Sequence, residues 1–140
     1  MRGLPLNVPS HRRGDVLLLM PYCGNLDVSK GAFDYRYDHE ISKPYFYSVF
    51  LDDYEIEARF APMKKSAIYS FAFEKEDNPQ IILRTNAKGD LIWANKALSG
   101  YEIYNGIKHY FYLEFDQDPL SVSSLDWEKI CAKSISFDFP

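Results

Sequence analysis

The segment Tyr37–Pro62, Y-D-H-E-I-S-K-P-Y-F-Y-S-V-F-L-D-D-Y-E-I-E-A-R-F-A-P, decides the fold of this chain. It reads as two strands joined at the Asp52-Asp53 corner. A period of two in the second strand is typical of an antiparallel strand with one buried and one solvated face. The segment therefore predicts a hairpin whose second strand places Tyr54, Ile56, Ala58 and Phe60 on the buried face and Glu55, Glu57 and Arg59 on the solvated face.

The rest of the chain repeats this pattern. Short apolar or alternating segments recur from Asp15 to Phe139, separated by turn signals such as Asn105-Gly106. About seven to nine short strands at this spacing predict an all-β fold, an antiparallel β-sandwich of a supersandwich-like kind, with little helix. The predicted core consists of Tyr54, Ile56, Phe60, Tyr69, Phe71, Phe73, Leu83, Phe111, Leu113, Phe137 and Phe139.

Length and composition set the domain organisation. With 140 residues, 46% of them hydrophobic, the chain is expected to form a single β-sandwich domain over residues 1–140. Residues 1–14 carry Gly, Pro, Ser and Arg without periodicity, which predicts an irregular lead-in. Because the chain begins shortly before its first core strand and stops within its last, we expect a fragment that is incomplete at both ends.

Charge and apolar runs exclude several classes of function. The net charge of −4 argues against a nucleic-acid partner, which usually needs a clustered basic surface. No apolar run approaches the roughly 20 residues of a membrane span, and two prolines interrupt the place where a signal peptide would have its apolar region. Cys23 and Cys131 share no motif, so two buried thiols are favoured over a disulfide.

The sequence singles out no catalytic residue and no metal site. It has no G-x-S-x-G elbow, and Cys23 has no evident histidine partner. His109 occupies an alternating position between apolar neighbours, which favours a histidine packed in a sheet. The acids around Asp52-Asp53 suggest a hard cation, but Glu55 and Glu57 belong to the solvated strand face, which favours solvated side chains.

Sugar binding is the chemistry that the side chains suit best. Tyrosine and tryptophan stack on pyranose rings, and Asp38, His39 and Glu40 offer two carboxylates and an imidazole to sugar hydroxyls. His11 and Trp93 are weaker candidates. We expect the Asp38-His39-Glu40 segment to be a loop held by the strand that follows it. Two interpretations stay open: the loop contacts sugar, or it caps the edge of the sandwich or supports a neighbouring domain.

A family resemblance rests on several motifs in a fixed order. The chain resembles the amino-terminal domain of glycoside hydrolase family 92, the calcium-dependent exo-α-mannosidases, over roughly residues 14 to 139. The family's S-H-E-x-E-x-A-x-P-G-Y-Y-S-V-x-L segment and its G-D-I-L-L-M-P strand have counterparts here. The matching residues are Gly14 to Pro21, His39, Glu40, Pro44, Tyr47-Ser48-Val49, Leu51, Ile56 and Ala58, followed by Ile81-Ile82-Leu83 and the hairpin between Gly100 and Phe115.

Two departures from the family pattern concern sugar contacts. Pro44-Tyr45-Phe46-Tyr47 lacks the glycine of the family's P-G-Y-Y, and only Ser10-His11 remains of its S-H-x-H-L-S-G-T-G stretch. In the family, the general acid, the general base and the calcium ligands lie on a following (α/α)6 helical barrel. The resemblance therefore gives this chain no catalytic residue.

The resemblance implies a role as part of a larger enzyme. It implies a non-catalytic amino-terminal module that packs on a catalytic helical barrel and lines its pocket for a mannose-containing glycan. It also implies calcium for the intact enzyme, a function in glycan degradation, and a periplasmic or secreted location. The alternative is a stand-alone carbohydrate-binding or adhesion sandwich.

Overall fold

A computed structural model describes residues 3–10, 14–25, 34–75, 77–125 and 134–140. These residues form strands and no helix, which confirms the all-β prediction, and none of them forms a helix that could span a membrane. The strands are β1 Leu4–Ser10, β2 Gly14–Cys23, β3 Tyr37–Lys43, β4 Phe46–Leu51, β5 Ile56–Pro62, β6 Ala67–Phe73, β7 Pro79–Arg84, β8 Gly89–Ala94, β9 Ala97–Tyr104, β10 Ile107–Glu114, β11 Ser121–Leu125 and β12 Ser134–Asp138.

The strands form three antiparallel sheets. The four-stranded sheet has the order β3-β4-β5-β6, and the three-stranded sheet has the order β10-β9-β8, so both are built from consecutive hairpins. The five-stranded sheet has the order β1-β2-β7-β12-β11 and joins segments that are far apart in the sequence. Each hairpin sheet is therefore local, and the five-stranded sheet connects the two ends of the chain.

The five-stranded sheet is covered on both faces. Its central strand β7 is buried at all six positions. On one face, Phe137 of β12 lies with its ring centroid 5.0 Å from that of Trp93 in β8. On the other face, Tyr22 of β2 lies 4.6 Å from Tyr54, which precedes β5. The chain is a β-sandwich, but it buries its alternating faces between three sheets where the sequence suggested two.

The deepest part of the core lies in β2 and β7. The continuous apolar runs Val16–Met20 and Ile81–Leu83 are buried because strands with a sheet on each side have no solvated face. Of the predicted core residues, Ile56, Leu83, Phe111 and Phe137 are buried. The others are only half-buried, because they lie in the outer sheets: Tyr54, Phe60, Tyr69, Phe71, Phe73 and Leu113, together with Phe139 after β12.

Part of the irregular lead-in predicted over residues 1–14 is a strand, because Leu4–Ser10 forms β1. β1 pairs with β2, with Leu4 opposite Leu19. The two prolines, Pro5 and Pro9, concealed this strand from the sequence pattern. They are tolerated because β1 is an edge strand, where a missing N–H removes no ladder bond on the outer side.

Two further strands occupy segments that the sequence suggested were loops. β3, Tyr37–Lys43, contains the Asp38-His39-Glu40 segment that was expected to be a loop, and β11, Ser121–Leu125, overlaps the polar segment 116–124, whose composition also predicts a loop. Both are edge strands, and every described side chain of β3 is exposed, so neither carries the alternation of a half-buried strand. Of the two cysteines, Cys23 is a half-buried free thiol, and Cys131 lies outside the described residues. The organisation as a single domain over residues 1–140 stays a prediction.

A buried carboxylate ties the three-stranded sheet to the five-stranded sheet. Glu102 of β9 is fully buried. Its Oε2 accepts the N–H of Leu17 in β2 at 2.9 Å. Its Oε1 accepts the N–H groups of Asn86 at 2.9 Å and Ala87 at 2.7 Å, in the turn between β7 and β8. Leu17 has a left-handed φ of 48°, so its N–H leaves the regular ladder and needs this acceptor.

Glycines let the strands around this carboxylate approach closely. A Cβ on Gly89, opposite Glu102, would lie 2.3 Å from the carbonyl oxygen of Tyr101. A Cβ on Gly100 would lie 2.1 Å from the carbonyl oxygen of Asp90 and 2.8 Å from the ring of Phe111. Any side chain at these positions would push β8 and β9 apart.

We predict that Glu102→Gln lowers the free energy of unfolding by about 2–4 kcal/mol, because an amide presents one acceptor oxygen and turns its NH2 toward a buried N–H donor. Urea denaturation of both proteins measures the loss. The matched control is Glu74→Gln, an exposed glutamate, which should change the free energy of unfolding by less than about 0.5 kcal/mol. An equally small effect at Glu102 would contradict a structural role for its charge.

Candidate functional site

The segment Asp38-His39-Glu40 lies in edge strand β3 and forms a β-bulge, not the loop that the sequence suggested. Asp38 pairs with Phe50 and Ile41 pairs with Ser48, so two residues, His39 and Glu40, oppose the single residue between these partners. His39 has a left-handed φ of 52°, and its N–H donates to Asp38 Oδ1 at 2.7 Å. Bulges of this kind redirect side chains at sheet edges and beside active sites.

The bulge separates the two carboxylates. Asp38 lies opposite Phe50 and therefore shares the outer face of the sheet with it. Glu40 instead accepts a hydrogen bond from the hydroxyl of Tyr47, at 2.8 Å from Oε1, and Tyr47 belongs to the inner face. Asp38, His39 and Glu40 are all exposed, and His39 and Glu40 together lie opposite Val49 of β4.

A row of aromatic rings continues from Glu40 across the sheet. The ring centroids of Tyr47 and Phe60 are 5.2 Å apart, and those of Phe60 and Tyr69 are 5.4 Å apart with a 29° interplanar angle. All three side chains are half-buried, and the Tyr69 hydroxyl donates to the carbonyl oxygen of Pro5 at 2.9 Å. We call Glu40, Tyr47, Phe60 and Tyr69 the aromatic row. Its rings can pack on an apolar surface while its polar end binds hydroxyl groups.

Burial and the carboxylate govern the electrostatics of the aromatic row. Burial, and next the hydrogen bond to Glu40, raise the pKa of Tyr47 well above its usual range. Burial raises the pKa of Tyr69 to about 12. Both phenols therefore stay neutral at physiological pH and act as hydrogen-bond donors. The sequence analysis assigned Phe60 and Tyr69 to the core. It missed Tyr47 as the partner of Glu40, because the bulge interrupts the alternation of β3 and its register against β4 cannot be predicted.

Ion pairs fix the segments around the bulge. Asp53 accepts the backbone N–H and the Nε of Arg36, each at 2.7 Å, and this ties the segment before β3 to the turn after β4. The backbone hydrogen bond of Arg36, followed by that of its side chain, lowers the pKa of Asp53. Glu55 pairs with Lys75 at 2.6 Å. The acids that suggested a cation are thus paired with basic side chains or solvated, and no cluster among the described residues could hold a metal ion.

The other sequence candidates do not join the aromatic row. Trp93 lies in β8 of a different sheet and is half-buried, with its ring 5.9 Å from Phe115 and 5.0 Å from Phe137. His11 lies outside the described residues. His109 is half-buried in β10, with its ring 6.2 Å from that of Tyr104, as the interpretation of a sheet histidine requires.

A small groove lies on the same four-stranded sheet. Its volume is about 190 Å³, which is less than the 300–1,000 Å³ usual for small-molecule sites. Arg59 is its charged side chain and pairs with Glu57 at 2.6 Å. The lining residues are Phe46, Arg59, Phe60, Ala61, Ile68 and Ser70.

A comparison with protein families identifies the family of this chain. The profile of the family described as "Glycosyl hydrolase family 92 N-terminal domain" matches residues 7–135. The chain belongs to this family, and the resemblance drawn from the sequence motifs is confirmed. No curated protein matched the chain.

Solved structures show the same fold. The family GH92 α-mannosidase BT3965 from Bacteroides thetaiotaomicron, solved in complex with mannoimidazole, is similar with a TM-score of 0.75 and 18% sequence identity over 89% of this chain and 21% of that one. A second structure of that enzyme has the same TM-score and identity over 89% of this chain and 22% of the other. This chain therefore spans about one fifth of the length of these solved chains.

We predict that Tyr69→Phe alters the alkaline stability of the chain. The folded chain holds the Tyr69 proton more tightly than the unfolded chain, in which the pKa of tyrosine is about 10. The protonated Tyr69 hydroxyl therefore contributes fully to the free energy of unfolding below pH 10, and this contribution is lost as the pH rises toward 12. Tyr69→Phe should cost about 1 kcal/mol at pH 7, through the lost bond to Pro5, and should flatten the fall in stability above pH 10.

The measurement is Tm between pH 7 and pH 11.5. The control is Tyr45→Phe, whose side chain is 68% exposed, and it should keep both the Tm at pH 7 and the alkaline slope of the unmodified chain. If the Tm of Tyr69→Phe falls above pH 10 as steeply as that of the unmodified chain, burial of Tyr69 does not contribute to the alkaline loss of stability.

Proposed function

We propose that this chain is the non-catalytic amino-terminal module of an exo-α-mannosidase-like glycoside hydrolase, which packs on a catalytic (α/α)6 barrel and lines its sugar pocket. The match of the family profile over residues 7–135 carries this proposal. The similar solved chains are named as α-mannosidases, and about four fifths of their length lies outside the part that this chain matches. The substrate of the whole enzyme would be a mannose-containing glycan.

The resemblance implies calcium for the intact enzyme, and we propose that its site lies outside this module. Among the described residues, no group of three His, Cys, Asp or Glu side chains could hold a metal ion. Nearby carboxylates are otherwise engaged, as Asp53 is with Arg36 and Glu57 with Arg59. We place calcium binding and the proton transfers of hydrolysis on the catalytic domain. A periplasmic or secreted location is part of the same proposal, since glycan degradation by this family implies it.

The contribution of the module would be a wall of the sugar pocket at the bulge in β3. Glu40 offers an acceptor already oriented by Tyr47, 2.8 Å away, and His39 offers an exposed imidazole beside it. The pairing of β3 with β4 and the Arg36–Asp53 ion pair hold the bulge in a fixed position. Trp93 is a poorer candidate, because its ring packs on Phe137 within the sandwich.

The first experiment compares the 140-residue chain with the complete polypeptide encoded by its reading frame. We expect no release of mannose from manno-oligosaccharides by the chain alone. The complete polypeptide should release mannose with calcium present and lose this activity with a chelator. Calcium-stimulated release by the 140-residue chain would contradict the assignment as non-catalytic. If the reading frame encodes no catalytic domain and its protein binds manno-oligosaccharides, a stand-alone carbohydrate-binding sandwich is favoured.

The second experiment tests the bulge in the complete polypeptide. His39→Asn removes the imidazole but keeps a residue that tolerates positive φ, so the fold should be retained. We predict a loss of mannoside affinity of about 1 kcal/mol, the value of one hydrogen bond, with an unchanged Tm. The matched control is Asp38→Asn, on the outer face of the sheet, which should retain affinity. A lower Tm with intact affinity in His39→Asn would make the bulge purely structural.

A further inference from the structure

The edge strand β6 lacks the features that keep the edges of sheets from pairing with other chains. Its sequence, A-I-Y-S-F-A-F, contains no charged residue, no proline and no glycine. The whole strand pairs with β5 in one continuous register, and the part of the chain that the structure describes places no strand on its other side. A flat, uncharged edge of this length is a template for a further strand.

The other edge strands each carry a protective feature. β1 contains Pro5 and Pro9, and β3 contains the β-bulge. β8 carries Asp90, and β10 carries Lys108 and Glu114. β11, with five residues, is the shortest of the described edge strands. Prolines, bulges, charges and short length all oppose pairing at a sheet edge, so their absence singles out β6.

Alternate residues of β6 direct their backbone groups away from β5. Just beyond the strand ends, the N–H of Glu74 donates to the carbonyl oxygen of Glu55 at 3.0 Å, and the N–H of Met63 donates to that of Ser66 at 2.7 Å. In an antiparallel ladder, hydrogen-bonded pairs alternate with pairs that are not hydrogen-bonded. The even-numbered residues of β6 therefore bond to β5. The odd-numbered residues present their N–H and C=O groups at the sheet edge: Ala67, Tyr69, Phe71 and Phe73.

From this edge we infer that β6 pairs with β6 of a second copy of the chain, antiparallel and centred on Ser70. In this register Ser70 lies opposite its own copy, and Tyr69 lies opposite Phe71. Ala67 then lies opposite Phe73, so every edge-facing residue exchanges backbone hydrogen bonds with an edge-facing residue of the second copy. The strand is thus complementary to itself. This association goes beyond the proposed function and is independent of it.

The aromatic side chains favour the same register. Tyr69 and Phe71 are half-buried, with ring centroids 6.4 Å apart. The pairing sets Tyr69 of each copy across from Phe71 of the other, and cross-strand aromatic pairs stabilise antiparallel sheets. Because Tyr69 is the last member of the aromatic row, the pairing also continues that row into the second copy.

The charges that flank β6 favour the antiparallel orientation. Lys64 and Lys65 precede the strand and Glu74 follows it, and all three side chains are exposed. Antiparallel pairing brings the two lysines of one copy near Glu74 of the other at each end of the strand. A parallel pairing would instead set like charges side by side, which is repulsive. Lys75 does not alter this balance, because it is paired with Glu55 within the chain.

The pairing is complete with two copies. A two-fold axis uses the same edge of both copies, so two four-stranded sheets form one continuous sheet of eight strands. The outermost strand at either end is then β3, whose bulge interrupts the regular ladder. We therefore expect a dimer and not a longer assembly.

Sedimentation equilibrium of the 140-residue chain tests the pairing. One pair of strands has a small contact area, so we expect a weak dimer whose fraction rises as the protein concentration increases from about 1 µM to about 100 µM. Ser70→Glu should raise the Kd of the dimer about fivefold or more, because two carboxylates then face each other across the two-fold axis. Within one chain the new glutamate lies opposite Arg59, so the Tm at low concentration should not fall.

Ser123→Glu is the matched control. It also replaces an exposed serine of an edge strand by glutamate, but in β11, and it should leave the Kd unchanged. An equal rise of the Kd in both variants would indicate general charge repulsion and would overturn the inference. A chain that stays monomeric over the whole concentration range overturns it as well.

Hydrogen exchange followed residue by residue tests the register. The N–H groups of Tyr69 and Phe71 should exchange about tenfold more slowly at high than at low protein concentration, because they are bonded only in the dimer. Those of Ile68 and Ser70, which bond to β5 in each copy, should change little. Slower exchange confined to another edge strand would refute pairing through β6. Protection of Tyr69 and Phe71 at every concentration in the complete polypeptide would identify a segment of the same polypeptide as the occupant and overturn the assignment of a second copy.

Discussion

The arrangement of the sheets depends on one buried charge. The Glu102 carboxylate accepts three backbone N–H groups, from Leu17, Asn86 and Ala87, where no ladder partner is available to them. Two of these donors lie in the turn that leads from the five-stranded to the three-stranded sheet, and the third lies in the neighbouring strand β2. Because an unpaired ion or donor is costly in the interior, the carboxylate and its donors fix one another. The close approach at Gly89 and Gly100 leaves strands β8 and β9 little freedom to pair in another register.

Much of the fold could be predicted from period-two patterns and turn residues. The β4–β5 hairpin, the Asn105-Gly106 turn and the last strand all follow from local sequence. Strand β1 could not be predicted because Pro5 and Pro9 interrupt its pattern, and β3 could not be predicted because its exposed side chains carry no alternation. The third sheet was also missed, because the burial of β7 on both faces depends on strands far from it in the sequence. Family motifs, in contrast, identified the domain despite the prolines and the bulge.

The candidate site was predictable in composition but not in geometry. The residues Asp38, His39 and Glu40 stand out in the sequence. The side of the sheet on which each side chain lies depends on a β-bulge, however, and no sequence pattern predicts that bulge. The structure turns Glu40 toward Tyr47 and Asp38 toward the opposite side of the sheet. It also assigns Trp93 to the interior contacts of another sheet. Residue type alone therefore did not show which of these groups lie close together in the fold.

The order of strands in the five-stranded sheet has a consequence for the time course of folding. The hairpin sheets β3–β6 and β8–β10 pair only sequence neighbours, so each can form while the chain is still being synthesised. β7 must instead wait for β12, since Leu83 pairs with Leu19 on one side and with Ile135 on the other. Pairing across such sequence distances is slow because loop closure precedes any gain from contact. Until the last strand emerges, one edge of β7 stays open, and this nascent edge is where the chain most needs protection from aggregation.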